Sequence, residues 1–501
     1  MQYYEYMTEI SSDELYKGLL AYGLFSDKLP PIFTSDKFYE YCLRKRHNFE
    51  QSPHNYVYFE NMRSVNVPRP LAIPNPMAYQ LLCDCLKSNW ENIKQHFIHM
   101  TDFQTYKVSR IHIRKIYQST ALFEMNYDNW RVDGSPEIDL AFGKRYLVKA
   151  DISSCFPSTY THAIPWALVG KQIAKANRNL DFWYNSIDSL SRHIKHDETQ
   201  GLLIGPHTSN LLSEIILTAI DKEMKVWKYT RNIDDYLCYV DTYEDAQKFL
   251  TELGASLRAY SLNLNHKKTE IVELPFAVTE HWLRKLNKFN LLNKHGSTDY
   301  NLAQAYLDYA VELMHENKNN ASILYYAIKV LAGSNLTSNA REYCAKTIMN
   351  LSMLYPYLVI TLDEFVFSKY CVGCQDHKCI KDYSSIVFMR GLQSRNYELV
   401  SYSLFFAIKY GFLIDNFNVN DVINSKDCVA MLFASIYAKE LHDSQSTQAL
   451  KAVATAFAMD DDTFDQNWLF AYEVLSDSKL PSNWKALKRS KVTFVKPRGN
   501  W

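Results

Sequence analysis

The stretch Arg231-Asn232-Ile233-Asp234-Asp235-Tyr236-Leu237-Cys238-Tyr239-Val240 decides how this chain is read. Apolar and aromatic residues follow the two acids at strand-like spacing. Adjacent carboxylates on a hairpin repel unless a cation lies between them. Mg²⁺ suits such a place, because it takes oxygen ligands and keeps positions open for phosphate. A third acid stands upstream in Tyr146-Leu147-Val148-Lys149-Ala150-Asp151-Ile152-Ser153-Ser154-Cys155-Phe156, where Asp151 ends an apolar run and a ring follows five residues on. One acid at a strand end and a double acid on a later hairpin are what a two-metal nucleotidyl transferase needs. A second acidic run, Asp460-Asp461-Asp462, lacks such surroundings and reads as a solvated turn.

Further segments fall in order around these acids. The backbone carbonyl of Ile152 is placed to reach a metal beside Asp151, and Phe156 to pack under the sugar of an incoming nucleotide. A ring there collides with a 2′-hydroxyl and favours deoxynucleotides; read alone, Phe156 fits a core position equally well. Next comes Gly201-Leu202-Leu203-Ile204-Gly205-Pro206-His207-Thr208-Ser209-Asn210, a glycine turn opening a helix through Leu212, Ile215, Ile216 and Ala219. Gly205 and Ser209 are candidates for close contact with base and sugar. The plainer alternative is a helix start capped by Thr208 or Ser209. Last is Leu262-Asn263-Leu264-Asn265-His266-Lys267-Lys268-Thr269, whose Lys268 is a candidate partner for a triphosphate. Basic residues of the 41–150 region, Arg69 among them, are expected to close over the phosphates.

The bulk numbers suit such an enzyme. A length of 501 residues allows two or three domains, and 47% apolar with 22% charged residues is ordinary for a globular chain. Lys+Arg and Asp+Glu balance at 55 each, which argues against a protein that coats nucleic acid but leaves room for a local basic channel. Residues 41–150 carry 15 basic against 10 acidic side chains. Lys479, Lys485, Lys488, Arg489, Lys491, Lys496 and Arg498 make a basic tail, read either as a solvated end or as phosphate contacts. No apolar run has the length of a membrane span, and the tyrosine-rich start is unlike a signal peptide. Ten scattered cysteines fit free thiols in a reducing cytoplasm.

Along the chain, the Pro-punctuated Val67–Pro76 segment excludes a regular helix. Tyr79, Leu82, Cys83, Leu86 and Trp90 then recur at helical spacing. Residues 146–275 alternate strand-like and helical segments. From about 299 to 477 the pattern is amphipathic helix throughout, near 302–313, 321–333, 337–354, 396–411, 428–441 and 447–459, as in stacked helix pairs without a clean period. The expected organisation is an N-terminal region with fingers over 1–145, a palm with the polymerase site over 146–290, and a helical repeat domain with the basic tail over 291–501.

At Arg69 to Tyr79, Lys149 to Leu168, Gly205 to Asp221 and Arg231 to Tyr236, the chain resembles a reverse transcriptase palm. More narrowly, it is similar to the bacterial abortive-infection polymerases, nearest the short form of P2-like prophages. The resemblance covers about 20–275 with specific motifs. It implies an α/β reverse-transcriptase-like fingers and palm followed by an all-α, HEAT-like repeat domain. It further implies a phage-defence DNA polymerase that works without a template and starts from a hydroxyl of the protein itself. Its substrates are dNTPs, its product is single-stranded DNA covalently attached to the chain, and it assembles as a homo-oligomer, a trimer or hexamer, in the cytoplasm with no membrane partner. Carried over by position, Asp151, Asp234 and Asp235 are ligands of two Mg²⁺ ions, or Mn²⁺ in their place, and Phe156 is the sugar-discriminating ring.

Two departures bear on templating. Reverse transcriptases usually carry an aromatic two residues before the double acid, where this chain has Asn232. Templated enzymes commonly place Gln before the glycine of the third motif, where this chain has Ile204. A protein primer needs a hydroxyl near the metals; among 36 tyrosines, the N-terminal cluster with Tyr39 and Tyr41 is the place to look. Cys371, Cys374, His377 and Cys379 crowd within nine residues, too close for an easy tetrahedral zinc site. Two rival functions remain at this level: a templated reverse transcriptase using a bound RNA, and a non-catalytic scaffold that binds nucleic acid or protein through its helices.

Overall fold

A four-stranded antiparallel sheet carries the acids. The computed structural model describes residues 3–500 apart from 45–47, 65–66, 111–112, 116–121, 123–133, 276–279 and 372–373. A first hairpin pairs β1 (Tyr56–Ser64) with β2 (Val67–Pro74). The main sheet has the order β4-β5-β3-β6, built from β3 (Tyr146–Asp151), β4 (Tyr229–Asn232), β5 (Asp235–Val240) and β6 (Glu270–Glu273). Prolines at 68, 70 and 74 do not disturb the pairing of β2, because like the Ala72 amide, which donates to the Ile204 carbonyl, their nitrogens face the edge away from β1.

The helix His207–Glu223 crosses behind the sheet with nearly every side chain buried, and it packs on the helices Trp90–Thr101 and Ala163–Val169. The helix Tyr243–Ala259 covers β3 and β5 through Ala246, Phe249, Leu253 and Leu257. Asn75 caps the helix Pro76–Ser88, where a side-chain acceptor precedes a proline at the first turn. Beyond residue 299 the chain is helical: Tyr300–Glu316 packs on both Ala321–Ala332 and Ser338–Leu354, and Cys374–Ser394, Tyr397–Tyr410, Cys428–Glu440 and Ser444–Phe457 pack each on the next. This is a reverse-transcriptase-like fold joined to a helical array. Among the described residues no helix is long and apolar enough to cross a membrane.

The helical array holds the first hairpin from behind. Glu398, fully buried, accepts hydrogen bonds from Asn61 Nδ2 (2.5 Å) and the Met62 amide (2.8 Å). Asp465 takes His54 Nδ1 (2.7 Å) and Asn75 Nδ2 (2.8 Å), and Trp468 donates to the Ile73 carbonyl (3.3 Å). One continuous apolar cluster runs from Tyr3 to Phe494 through all of these elements.

The basic tail is woven into this core. The Phe494 ring meets Phe25, Phe38, Trp468 and Tyr472, and the Lys496 amide donates to the Ile32 carbonyl. Lys488 donates to the Tyr472 carbonyl, Arg489 pairs with Asp477, and Arg498 pairs with Glu440. Asp460, Asp461 and Asp462 are all exposed, and the Asp460 carboxylate caps the helix Asp461–Gln466.

Candidate active site

The register of the sheet sets the three acids together. Asp151 at the end of β3 lies directly opposite Asp235 at the start of β5, so both side chains leave the same face. Between β4 and β5 the chain turns in two residues, Ile233 and Asp234, with Asn232 opposite Asp235. The amide of Ile152 donates to the Asp234 carbonyl (3.0 Å), tying the turn to the end of β3.

The electrostatics follow from crowding. Burial raises the pKa of Asp234, and Asp151 adds to it, while Lys268 and Arg69 act the other way. Asp235 is pushed up to about 6 by burial first, then by Asp234 and Asp151. The Asp151 side chain is buried, and its carboxylate is claimed on both oxygens. Asn265 Nδ2 donates to Oδ1 and Lys268 Nζ to Oδ2, each at 2.8 Å. That contact raises the pKa of Lys268. Among the described residues no three His, Cys, Asp or Glu side chains stand as a ready-made cation cage. The donor set nonetheless suits Mg²⁺: three hard carboxylates crowded so that ionising all of them demands positive charge, with one ammonium already supplying part of it.

One opening lies at the acids, and a second, with no lining residue in common, holds Arg69 and Phe156. A cleft of about 510 Å³ is walled by Asp151, Asn232 and Asp235 together with Lys149, Lys267 and Lys268. A cavity of about 750 Å³ has Arg69, Phe156, Ile204, Gly205 and Asn210 among its walls, closed by the 21–36 loop and Lys496. Burial lowers the pKa of Arg69, with Arg63 adding to that, whereas the charge of Asp234 opposes it. Gly205 has φ +128°, and a Cβ there would meet the Ala72 carbonyl at 3.0 Å, so glycine lets the loop close on β2.

Arg69, Phe156 and Gly205 are thus brought to one cavity, and Lys268 to the acids. Ile152 contributes a buried side chain and the amide that holds Asp234. Ser209 is not brought to the cavity: helical periodicity turns His207 and Asn210 toward it and buries Ser209, whose hydroxyl finds no partner. Neither Thr208 nor Ser209 caps the helix, which begins after Pro206. Tyr39 packs on Tyr16, and Tyr41 lines a separate cleft with Arg44, Lys485 and Arg489; Tyr22 is the tyrosine in the wall shared by Arg69 and Phe156. Of the cysteine cluster, the side chain of Cys374 lies outside the described residues.

Asn265 escaped sequence reasoning, although it stands three residues before Lys268. Its amide also donates to the Asp151 carbonyl (2.7 Å), so it fixes that residue by backbone and side chain together. Nothing in an Asn-rich loop marks such a double contact.

Residues 85–300 match the family described as "Reverse transcriptase (RNA-dependent DNA polymerase)". The chain carries a reverse-transcriptase domain. This domain holds all three acids, Phe156, Gly205 and Lys268, and β2 with Arg69 lies just before it. Similar solved structures include apo telomerase from Candida tropicalis truncated from its C-terminal domain, at 14% identity over 46% of this chain and 52% of that one, with TM-score 0.31. Telomerase from Candida albicans in complex with a TWJ fragment of telomeric RNA is 13% identical over 80% and 65%, TM-score 0.28. Apo telomerase from Candida tropicalis is 10% identical over 84% and 72%, TM-score 0.34. The chain thus spans about half the length of the first of these and less than two thirds of the second. No curated protein matches the chain in sequence.

Proposed function

We propose that this reverse-transcriptase-like polymerase is a phage-defence enzyme of the abortive-infection kind, adding dNTPs to one of its own hydroxyl side chains without a template. The observation that carries the polymerase reading is Asp151 facing Asp235 across β3 and β5, with Asp234 on the adjoining turn. Two Mg²⁺ ions held by these acids supply charge neutralisation for the attacking hydroxyl and the leaving pyrophosphate. Arg69 draws the triphosphate toward the acids. Phe156 lies under the sugar and rejects a 2′-hydroxyl. Lys268 passes from Asp151 to the phosphates once other positive charge has arrived. Untemplated synthesis is supported by Ile204 and Asn232, which replace the residues that templated relatives place against nucleic acid. Ile204 also lines the cavity that the 21–36 loop closes. Tyr22, in that same wall, is the priming hydroxyl to test first. We further propose a cytoplasmic homo-oligomer, a trimer or hexamer, to be read by sedimentation.

Nuclease-treated protein given labelled dNTPs and Mg²⁺ tests the whole reading. Label that migrates with the polypeptide supports it, and mass spectrometry of the adduct locates the primer. Loss of synthesis after nuclease favours a templated enzyme with a bound RNA. Phage resistance that survives Asp234→Ala with Asp235→Ala, in a chain that still folds, favours a binding scaffold.

A further inference from the structure

Directly behind the catalytic turn lies a buried ionic hub. The Arg231 side chain is fully buried on β4. Its guanidinium donates to Asp221 Oδ2 (2.6 Å) and to both Glu214 oxygens (3.1 and 3.2 Å), two acids spaced two turns apart on the helix His207–Glu223. Tyr229 donates to Asp221 (2.8 Å), and Tyr3, from the helix Tyr3–Thr8, donates to Glu214 (2.9 Å). The strand itself is fixed on its outer side, where Arg231 N donates to the Val108 carbonyl and Arg110 N to the Arg231 carbonyl, each at 2.8 Å.

One further donor points forward. Arg231 Nη1 reaches the carbonyl of Ile233 at 3.1 Å. Ile233 has φ +57°, a region that a β-branched residue enters only under constraint. It is the first residue of the turn, and Asp234 is the second. The fork geometry of a guanidinium is what allows one side chain to meet two carboxylates and a carbonyl together; an ammonium lacks that reach. A purely structural ion pair has no need of the third contact.

We propose that Arg231 is a positioning residue for the polymerase reaction: braced by Glu214 and Asp221, it holds the Ile233 carbonyl and so keeps the strained turn that aims Asp234 and Asp235 at the metal ions. This rests on the function proposed above. Tyr3 is the outer end of the brace, which links the N-terminal helix to the turn.

The test uses the full chain with Arg231→Lys, Ile233→Gly, both together, and Tyr3→Phe. Each is measured for thermal midpoint, for Mn²⁺ affinity by electron paramagnetic resonance, and for kcat and KM with dNTP. Arg231→Lys is expected to weaken Mn²⁺ binding and lower kcat by about 10-fold or more, with KM nearly unchanged. In the Ile233→Gly background the same change is expected to cost no more than about threefold, because glycine takes positive φ without being held. Equal losses in the two backgrounds overturn the proposal, as does an unchanged Mn²⁺ affinity. Should Arg231→Lys fail to fold, Tyr3→Phe decides: Mn²⁺ binding weakened at an unaltered midpoint upholds the brace, and unaltered Mn²⁺ binding overturns it. An unaltered chain that binds Mn²⁺ but incorporates no dNTP sinks the polymerase reading alone, leaving Arg231 to be judged by the Mn²⁺ titrations. One that binds no Mn²⁺ sinks both.

Discussion

Asp234 and Asp235 are neighbours in sequence, and Asp235 faces Asp151 across the strand pair, so each ionisation raises the cost of the next. Lys268 and Asn265 hydrogen-bond only to Asp151, and the Lys268 charge offsets the crowding at Asp234 and Asp235 in part. Replacing Asp235 by Asn therefore removes repulsion as well as a ligand. The metal-free Asp235→Asn chain is expected to melt at a higher temperature than the unaltered one, while nucleotide incorporation falls by at least about 100-fold. Scanning calorimetry and a radiolabel assay on the same preparation check the two signs. At Phe156 the effect is one of selectivity. The ring shares the cavity wall with Arg69, and Phe156→Ala is expected to lower the preference for dNTP over rNTP by about 10–100-fold, read as the ratio of the two kcat/KM values.

At the scale of elements, the first hairpin depends on a carboxyl that no cation accompanies in its hydrogen bonds. Burial pushes the pKa of Glu398 from 4.5 up to about 8, against the opposing hydrogen bonds from Met62 and Asn61. Between those values the folded chain holds a proton that the unfolded chain has released. This contribution to stability is complete below about pH 4.5, is lost as pH rises, and is gone above about 8. Denaturant unfolding at pH 5 and pH 8 is expected to show a fall on the order of 3 kcal/mol that Glu398→Gln removes.

The same scale shows what could be read beforehand. The helices Ala321–Ala332, Ser338–Leu354, Tyr397–Tyr410 and Cys428–Glu440 stand where their 3.6-residue apolar period places them, because local periodicity reports local structure. The double acid on a hairpin was equally legible, since short-range sequence encodes a two-residue turn. Ser209 shows the limit. Its place in the motif suggested contact with substrate, but which side of a wholly buried helix faces a cavity is set by distant elements. Asn265, the Arg231 hub and the closing loop at 21–36 were hidden for that reason: each acts through partners 10 to more than 200 residues away.

Across the whole molecule, the palm and the helical array are not separable bodies joined by a linker. Phe494 fills a site lined by rings from residues 25, 38, 468 and 472. Phe494→Ala is expected to cost about 3–5 kcal/mol. Because one apolar cluster spans the chain, that loss is expected to lower a single unfolding transition seen alike by circular dichroism and by tryptophan fluorescence. Two separate transitions, with only the later one displaced, would contradict the packing described.

The meeting of Phe494 and Lys496 with the 21–36 loop also has a meaning for the order of events at the ribosome. Lys496 forms part of the wall around the cavity that holds Arg69 and Phe156. A nascent chain that has already displayed its three acids still lacks that wall until residue 496 has cleared the exit tunnel. The cavity is therefore completed only after residue 496 has emerged, long after the acids at 151, 234 and 235, and a polypeptide interrupted before this point carries those acids without the finished cavity.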